Sequence, residues 1–96
     1  MWEGELARIE GELMRVKGAS APEIEPCFAR AIAITRAQGA KSLELRAALS
    51  LAHLWCDQGR PSDARALLTP TVSWFTEGFD TLDLKEARVL LDTLAL

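Results

Sequence analysis

A chain of 96 residues that is 49% hydrophobic and 26% charged has room for one small domain with a modest core. Its net charge of −3, with no run of Lys and Arg, excludes the electrostatic footprint of a nucleic-acid binder and gives nothing for an anionic membrane surface to attract. The longest apolar tracts are helix faces broken by Arg, Asp and Glu, far short of a membrane span, and the opening MWEGELARIEGEL carries acids where a signal peptide would be apolar.

Strand signals are almost absent, whereas Ala, Leu, Arg and Glu dominate, and the breakers divide the chain into five helical segments. The first is expected from about Trp2 to Val16, with Leu6, Ile9, Leu13 and Val16 on one face and Lys17 and Gly18 ending it. The second spans about Pro22 to Gln38; Ser20 and Glu23 are spaced as a capping box, Pro26 falls near the first turn, and Phe28, Ala31 and Ile32 form the apolar side up to Gly39. The third runs from about Ser42, a possible cap, to Gln58, with Leu43, Ala47, Leu51, Leu54 and Trp55 inward. The fourth starts at Pro61 or Ser62 and carries Ala64, Leu67, Leu68, Val72 and Phe75; Pro70 inside this pattern is expected to kink or split it. The fifth begins after Asp80 or Thr81 and places Leu84, Ala87, Leu90, Leu91 and Leu94 at helical spacing.

The segment TEGFDTLDL between the last two helices holds Phe79 and Asp80, which invites a binding-loop reading. Ordinary helix chemistry accounts for it better: Gly78 stops one helix, Phe79 packs on the core, and Asp80 or Thr81 caps the next. Cys27 and Cys56 are the only cysteines and His53 the only histidine, so neither a disulfide framework nor a zinc site is expected, and the thiols read as small core or surface residues of a chain in the reducing cytoplasm.

The first two helices look like the next two. Gly18 matches Gly59 at an offset of 41 residues and Phe28 matches Leu68 at an offset of 40, so one loop differs by a single residue. A helix–turn–helix repeat of this length signals a right-handed α-solenoid, in which neighbouring pairs must stack to bury their apolar faces. The pattern resembles the tetratricopeptide repeat. Gly11, Gly18, Phe28 and Ala31 stand at its small, turn and large positions in repeat one, and Ala52, Trp55, Gly59, Ala64 and Leu68 take those roles in repeat two. It departs from the family at Ala7 and Glu10, where bulkier apolar residues are usual, in a linker longer than the standard repeat allows, and in having no proline to close the first repeat.

A narrower resemblance covers nearly the whole chain. CFARAIAITRAQGAKSLELRAALSLAHLW, DQGRPSDARALL and WFTEGFDTLDLKEARVLLDTL are similar to the C-terminal region of large bacterial proteins that join a nucleotide cyclase or transcriptional regulator to a P-loop ATPase module and helical repeats. The resemblance implies such a tail, or a short protein derived from one. It carries over no activity, since no GxxxxGK[ST] stretch or pair of metal-binding Asp residues in a cyclase context is present.

Ser50, His53 and Asp57 share a helix face, but residues on one helix rarely converge on one reacting atom, and no catalytic residue is assigned. Resemblance to the tetratricopeptide solenoid instead implies a concave groove lined by first helices. Glu5, Arg8, Glu12 and Arg15 would face it from the first segment, and Arg46, Ser50, His53 and Asp57 from the third; the same alternating charges also fit a plain solvated face. Of the three Trp, Trp55 sits in a core pattern, one of the neighbours Trp74 and Phe75 points outward, and Trp2 lies beside Leu6, Ile9 and Leu13 on a face expected to meet preceding repeats or a second copy of the chain.

The expectation is therefore an all-α domain over residues 1–96: repeat one over about 2–39, repeat two over about 42–78 and a capping helix over about 82–95. Its expected role is a non-catalytic protein–protein interaction module, the regulatory or assembly tail of a larger bacterial signalling protein, with a protein or peptide partner. No cofactor, metal, small-molecule substrate, nucleic acid or membrane is expected. The alternative is a part of an adenylate or guanylate cyclase-type enzyme whose catalytic domain lies elsewhere.

Overall fold

The computed structural model describes residues 3–74 and 82–94, and these form five helices in chain order. They are α1 (Glu3–Val16), α2 (Ala21–Ala37), α3 (Lys41–Asp57), α4 (Pro61–Trp74) and α5 (Leu82–Leu94), with no strand among the described residues. The loop residues Gly78, Phe79, Asp80 and Thr81, together with Trp2 and Phe75, lie outside the described residues.

The helix ends follow from glycine chemistry. Gly18 and Gly59 have φ of 82° and 75°, which a side chain strongly disfavours. Each lets the chain close the same pair of bonds: Gly18 and Ala19 amides donate to the Arg15 and Met14 carbonyls, and Gly59 and Arg60 amides to those of Cys56 and Trp55. This is the Schellman end, and it recurs at Gly39 after α2. The identical turn therefore reappears 41 residues on, while α4 starts 40 residues after α2 because its entry loop is one residue shorter.

Helix starts depart from expectation. Ser20 occupies the N-cap of α2 in extended backbone, but its hydroxyl donates to Glu23 Oε1 at 3.1 Å instead of capping an amide, so the capping box does not form. Helix α3 begins at Lys41, one residue before the expected cap; Ala40 is the N-cap, and Ser42 is an exposed residue of the first turn. Pro26 lies in the second turn of α2 and Pro70 in the last part of an unbroken α4, so neither ends its helix. Both prolines are exposed, as are Pro22 and Ala66, four residues before each, whose carbonyls lose the helix bond to the missing N–H and can bond water there.

Packing follows chain order, each helix against the next, with two further contacts, α1 on α3 and α3 on α5. Helices α1, α3 and α5 thus lie on one side of the molecule. Helix α3 touches all four others and is buried nearly all round: Leu45, Ala48, Leu49 and Ala52 join the expected Ala47, Leu51 and Leu54, while Leu43 and Trp55 are only half-buried. The α1–α2 contact is built on small residues. Gly4, Ala7 and Gly11 face α2, and a Cβ on Gly11 would lie 2.6 Å from the ring of Phe28, which is fully buried. Burial of that ring is worth roughly 2–3 kcal/mol. Ala52 and Leu68, its counterparts in the second pair, are also fully buried. Glu10, one of the departures from the repeat pattern, is exposed and pairs with Arg30 at 3.3 Å. Among the described residues no buried side-chain oxygen or nitrogen lacks a partner.

Candidate functional site

Helical spacing puts Arg8, Glu12 and Arg15 on one face of α1 and Arg46, Leu49, Ser50 and His53 on one face of α3. Because α1 and α5 both pack on α3, these two faces and the start of α5 meet in an open cleft of about 250 Å³. Its walls are Arg8, Glu12, Arg15, Arg46, Ser50 and His53 with Asp83 and Glu86 of α5, over the buried Leu49.

Six of the eight residues expected at a groove thus line the cleft. Glu5 and Asp57 do not; they brace it. Glu5 is only 7% exposed and accepts from Arg8 Nε at 3.0 Å and Arg46 Nη1 at 3.3 Å. Burial alone would raise its pKa, but the hydrogen bonds and charges of Arg8 and Arg46 outweigh that and hold it below the ordinary glutamate value. Asp57 is exposed and pairs with Arg15, tying the end of α3 to α1. Arg46 also donates to Asp83 Oδ2 at 3.2 Å, and His53 Nε2 lies 3.3 Å from Glu86 Oε1. The sequence pattern does not single out Asp83 and Glu86 of α5, which reach the wall only because α5 packs back against α3.

Three arginines and three carboxylates therefore share the lining, and each arginine is held by a carboxylate of the same chain. Glu12 makes no ion pair among the described residues. His53 is turned to Glu86 and Asp57 is engaged by Arg15, so Ser50, His53 and Asp57 do not form a hydrogen-bonded chain.

Comparison of the chain with known families, curated proteins and solved structures finds no match to any of them.

A second cleft of about 200 Å³ lies at the other side, between the end of α2, the start of α3 and the end of α4. Arg36 and Lys41 hold the buried carboxylate of Glu44 there at 3.1 and 3.5 Å, and the Lys41 ammonium stands 5.4 Å from the ring centre of the half-exposed Trp74. Trp55 is half-buried against the core and also clasps two neighbours. Its indole donates to Glu25 Oε1 at 2.9 Å, and the Arg60 guanidinium lies 4.7 Å over its ring. Cys27 and Cys56 are half-buried free thiols; Cys27 points its sulfur at Met14. Burial, then the Asp57 charge, raises the Cys56 pKa, which leaves an unreactive thiol at neutral pH. No group of three or more His, Cys, Asp or Glu side chains among the described residues has metal-binding geometry. None of the described helices is long and apolar enough to cross a membrane. Leu6, Ile9 and Leu13, expected on an interacting face, are exposed on the side of α1 away from α2.

Proposed function

We propose that this chain is a non-catalytic protein–protein interaction module. In this reading it is a short right-handed α-solenoid of two tetratricopeptide-like repeats plus a closing helix, and it takes a peptide segment of a partner protein in the cleft between α1, α3 and α5. The observation that carries the proposal is the cleft itself: polar side chains from three helices converge on it, and its three arginines are each held by a carboxylate of the same chain. Pre-oriented charges favour choice among partners, because a mismatched ligand must strip water from them without offering polar groups in return. The recurring glycine turn and the equivalent Gly11–Phe28 and Ala52–Leu68 positions support the repeat reading. The non-catalytic reading is supported by the engagement of His53 and Asp57 away from Ser50. Attachment to a larger bacterial signalling protein rests on the sequence resemblance alone.

Selection of peptides from a displayed random library against the intact chain tests the proposal. A related set of peptides should be recovered, and their binding should fall when Glu12→Lys or His53→Ala alters the wall but not when Leu6→Gln alters the far side of α1. Failure to recover a related set, or binding indifferent to both cleft variants, would refute the reading. Tight binding of ATP or GTP to the chain would point to the enzyme-associated class instead.

A further inference from the structure

Three arginines in the lining of the cleft invite an acidic ligand, yet their charge is already answered within the chain. Glu5 holds Arg8 in a two-pronged pair, at 3.0 and 3.3 Å. Asp57 holds Arg15, and Arg46 lies between Glu5 and Asp83, at 3.3 and 3.2 Å. Two carboxylates of the lining are left over. Among the described residues, the half-buried Glu12 of α1 makes no hydrogen bond or ion pair, and Glu86 of α5 meets only the His53 ring. With Glu5 and Asp57 behind the wall, the site sets five carboxylates against three guanidinium groups. The balance is negative whether or not His53 carries a proton.

We propose that the cleft recognises a Lys or Arg side chain of its partner, an assignment that rests on reading the cleft as a peptide site. Helices α1 and α5 both pack on α3 but not on each other, so Glu12 and Glu86 stand on opposite walls with Leu49 and Ser50 of α3 between them. A long cationic side chain matches that order of groups. Its methylenes can lie over Leu49 while its charged head reaches a wall carboxylate. The volume of about 250 Å³ is below the range of drug-sized pockets, roughly 300–1,000 Å³, and suits one such side chain. N–H groups of the arginine forks that the carboxylates do not use remain for peptide carbonyls, which are neutral acceptors. An acidic side chain would lose water beside Glu12, Asp83 and Glu86 and find only arginines that are already shared, so it is disfavoured.

Selection from the displayed random library on the intact chain reads the sign of the ligand directly. The recovered set should carry Lys or Arg at one fixed position. Glu12→Gln should weaken its binding about tenfold or more, as loss of a charge-assisted hydrogen bond does. The circular dichroism spectrum should not change, since Glu12 makes no contact within the fold that the substitution removes. Glu12→Lys should reject the recovered peptide, and changing the fixed Lys or Arg of that peptide to Glu should restore binding to this variant. A related set without a fixed Lys or Arg, binding unmoved by Glu12→Gln, or a charge swap that fails to restore would each overturn this inference and leave the peptide-binding reading standing. Recovery of no related set would overturn both.

Discussion

Gly11→Ala is the sharpest test of how the first two helices fit. In an exposed helix this change adds about 1 kcal/mol of stability, because glycine is a poor helix former. Here the new methyl would stand 2.6, 2.9 and 3.1 Å from three carbons of the Phe28 ring, all well inside van der Waals contact. The ring is fully buried in the core and has no solvent side to move into. Overpacking of this kind costs about 1–3 kcal/mol, which outweighs the propensity gain. We expect a net loss of about 1 kcal/mol, read as a fall in melting temperature of about 4–8 °C for a chain of this length. Urea denaturation followed by circular dichroism measures it. Phe28→Leu removes the obstructing ring edge, so Gly11→Ala in that background should be nearly neutral, a coupling of about 1 kcal/mol or more. If Gly11→Ala stabilises the chain, or if the two changes are additive, the close approach of α1 and α2 does not depend on this contact.

Gly59→Ala probes backbone alone, since no heavy atom lies within 4 Å of the added carbon; the positive φ of 75° should still make it destabilising by about 1 kcal/mol, with Gly59→Asn milder. Pro70→Ala restores a helix amide in an exposed position of α4 and should raise the urea midpoint, by about 1 kcal/mol or more of stability; a fall would show that the proline is needed for packing. Glu5 has its pKa lowered on folding, so it contributes stability above its unfolded value of about 4.3, and that contribution is lost as pH falls through the folded value. Glu5→Gln should accordingly be less stable than the parent at neutral pH and show a flatter stability profile below about pH 4; parallel profiles would contradict the Arg8–Glu5–Arg46 bracing.

The helical class and most boundaries were legible because helix stops are local chemistry: Gly18, Gly39 and Gly59 each end a helix through bonds that span only a few residues. Starts were less so. The hydroxyl of Ser20 chose a side-chain partner over an amide, and Ser42 stood one turn position too late, choices set by fractions of a bond's energy. Periodicity assigned α3 one inward face, yet Leu45, Ala48 and Leu49 are buried as well, because burial all round depends on four neighbours that no local window contains. The α1 and α3 walls of the cleft could be read from charge spacing. Asp83 and Glu86 could not, since their place depends on how α5 comes back against α3, which is a matter of tertiary packing.

The central position of α3 also bears on how the molecule comes apart. A stack of helix pairs ordinarily frays from whichever end is weaker, giving a graded loss of structure. Helices α1 and α5 lie at the ends, but both rest on α3, and so do α2 and α4. Either end helix can detach by releasing two neighbours, whereas opening α3 requires all four to let go. Amide protons of α3 should therefore exchange only through global unfolding, with those of α1 and α5 exchanging first, and the chain should melt as one cooperative unit rather than one helix pair at a time.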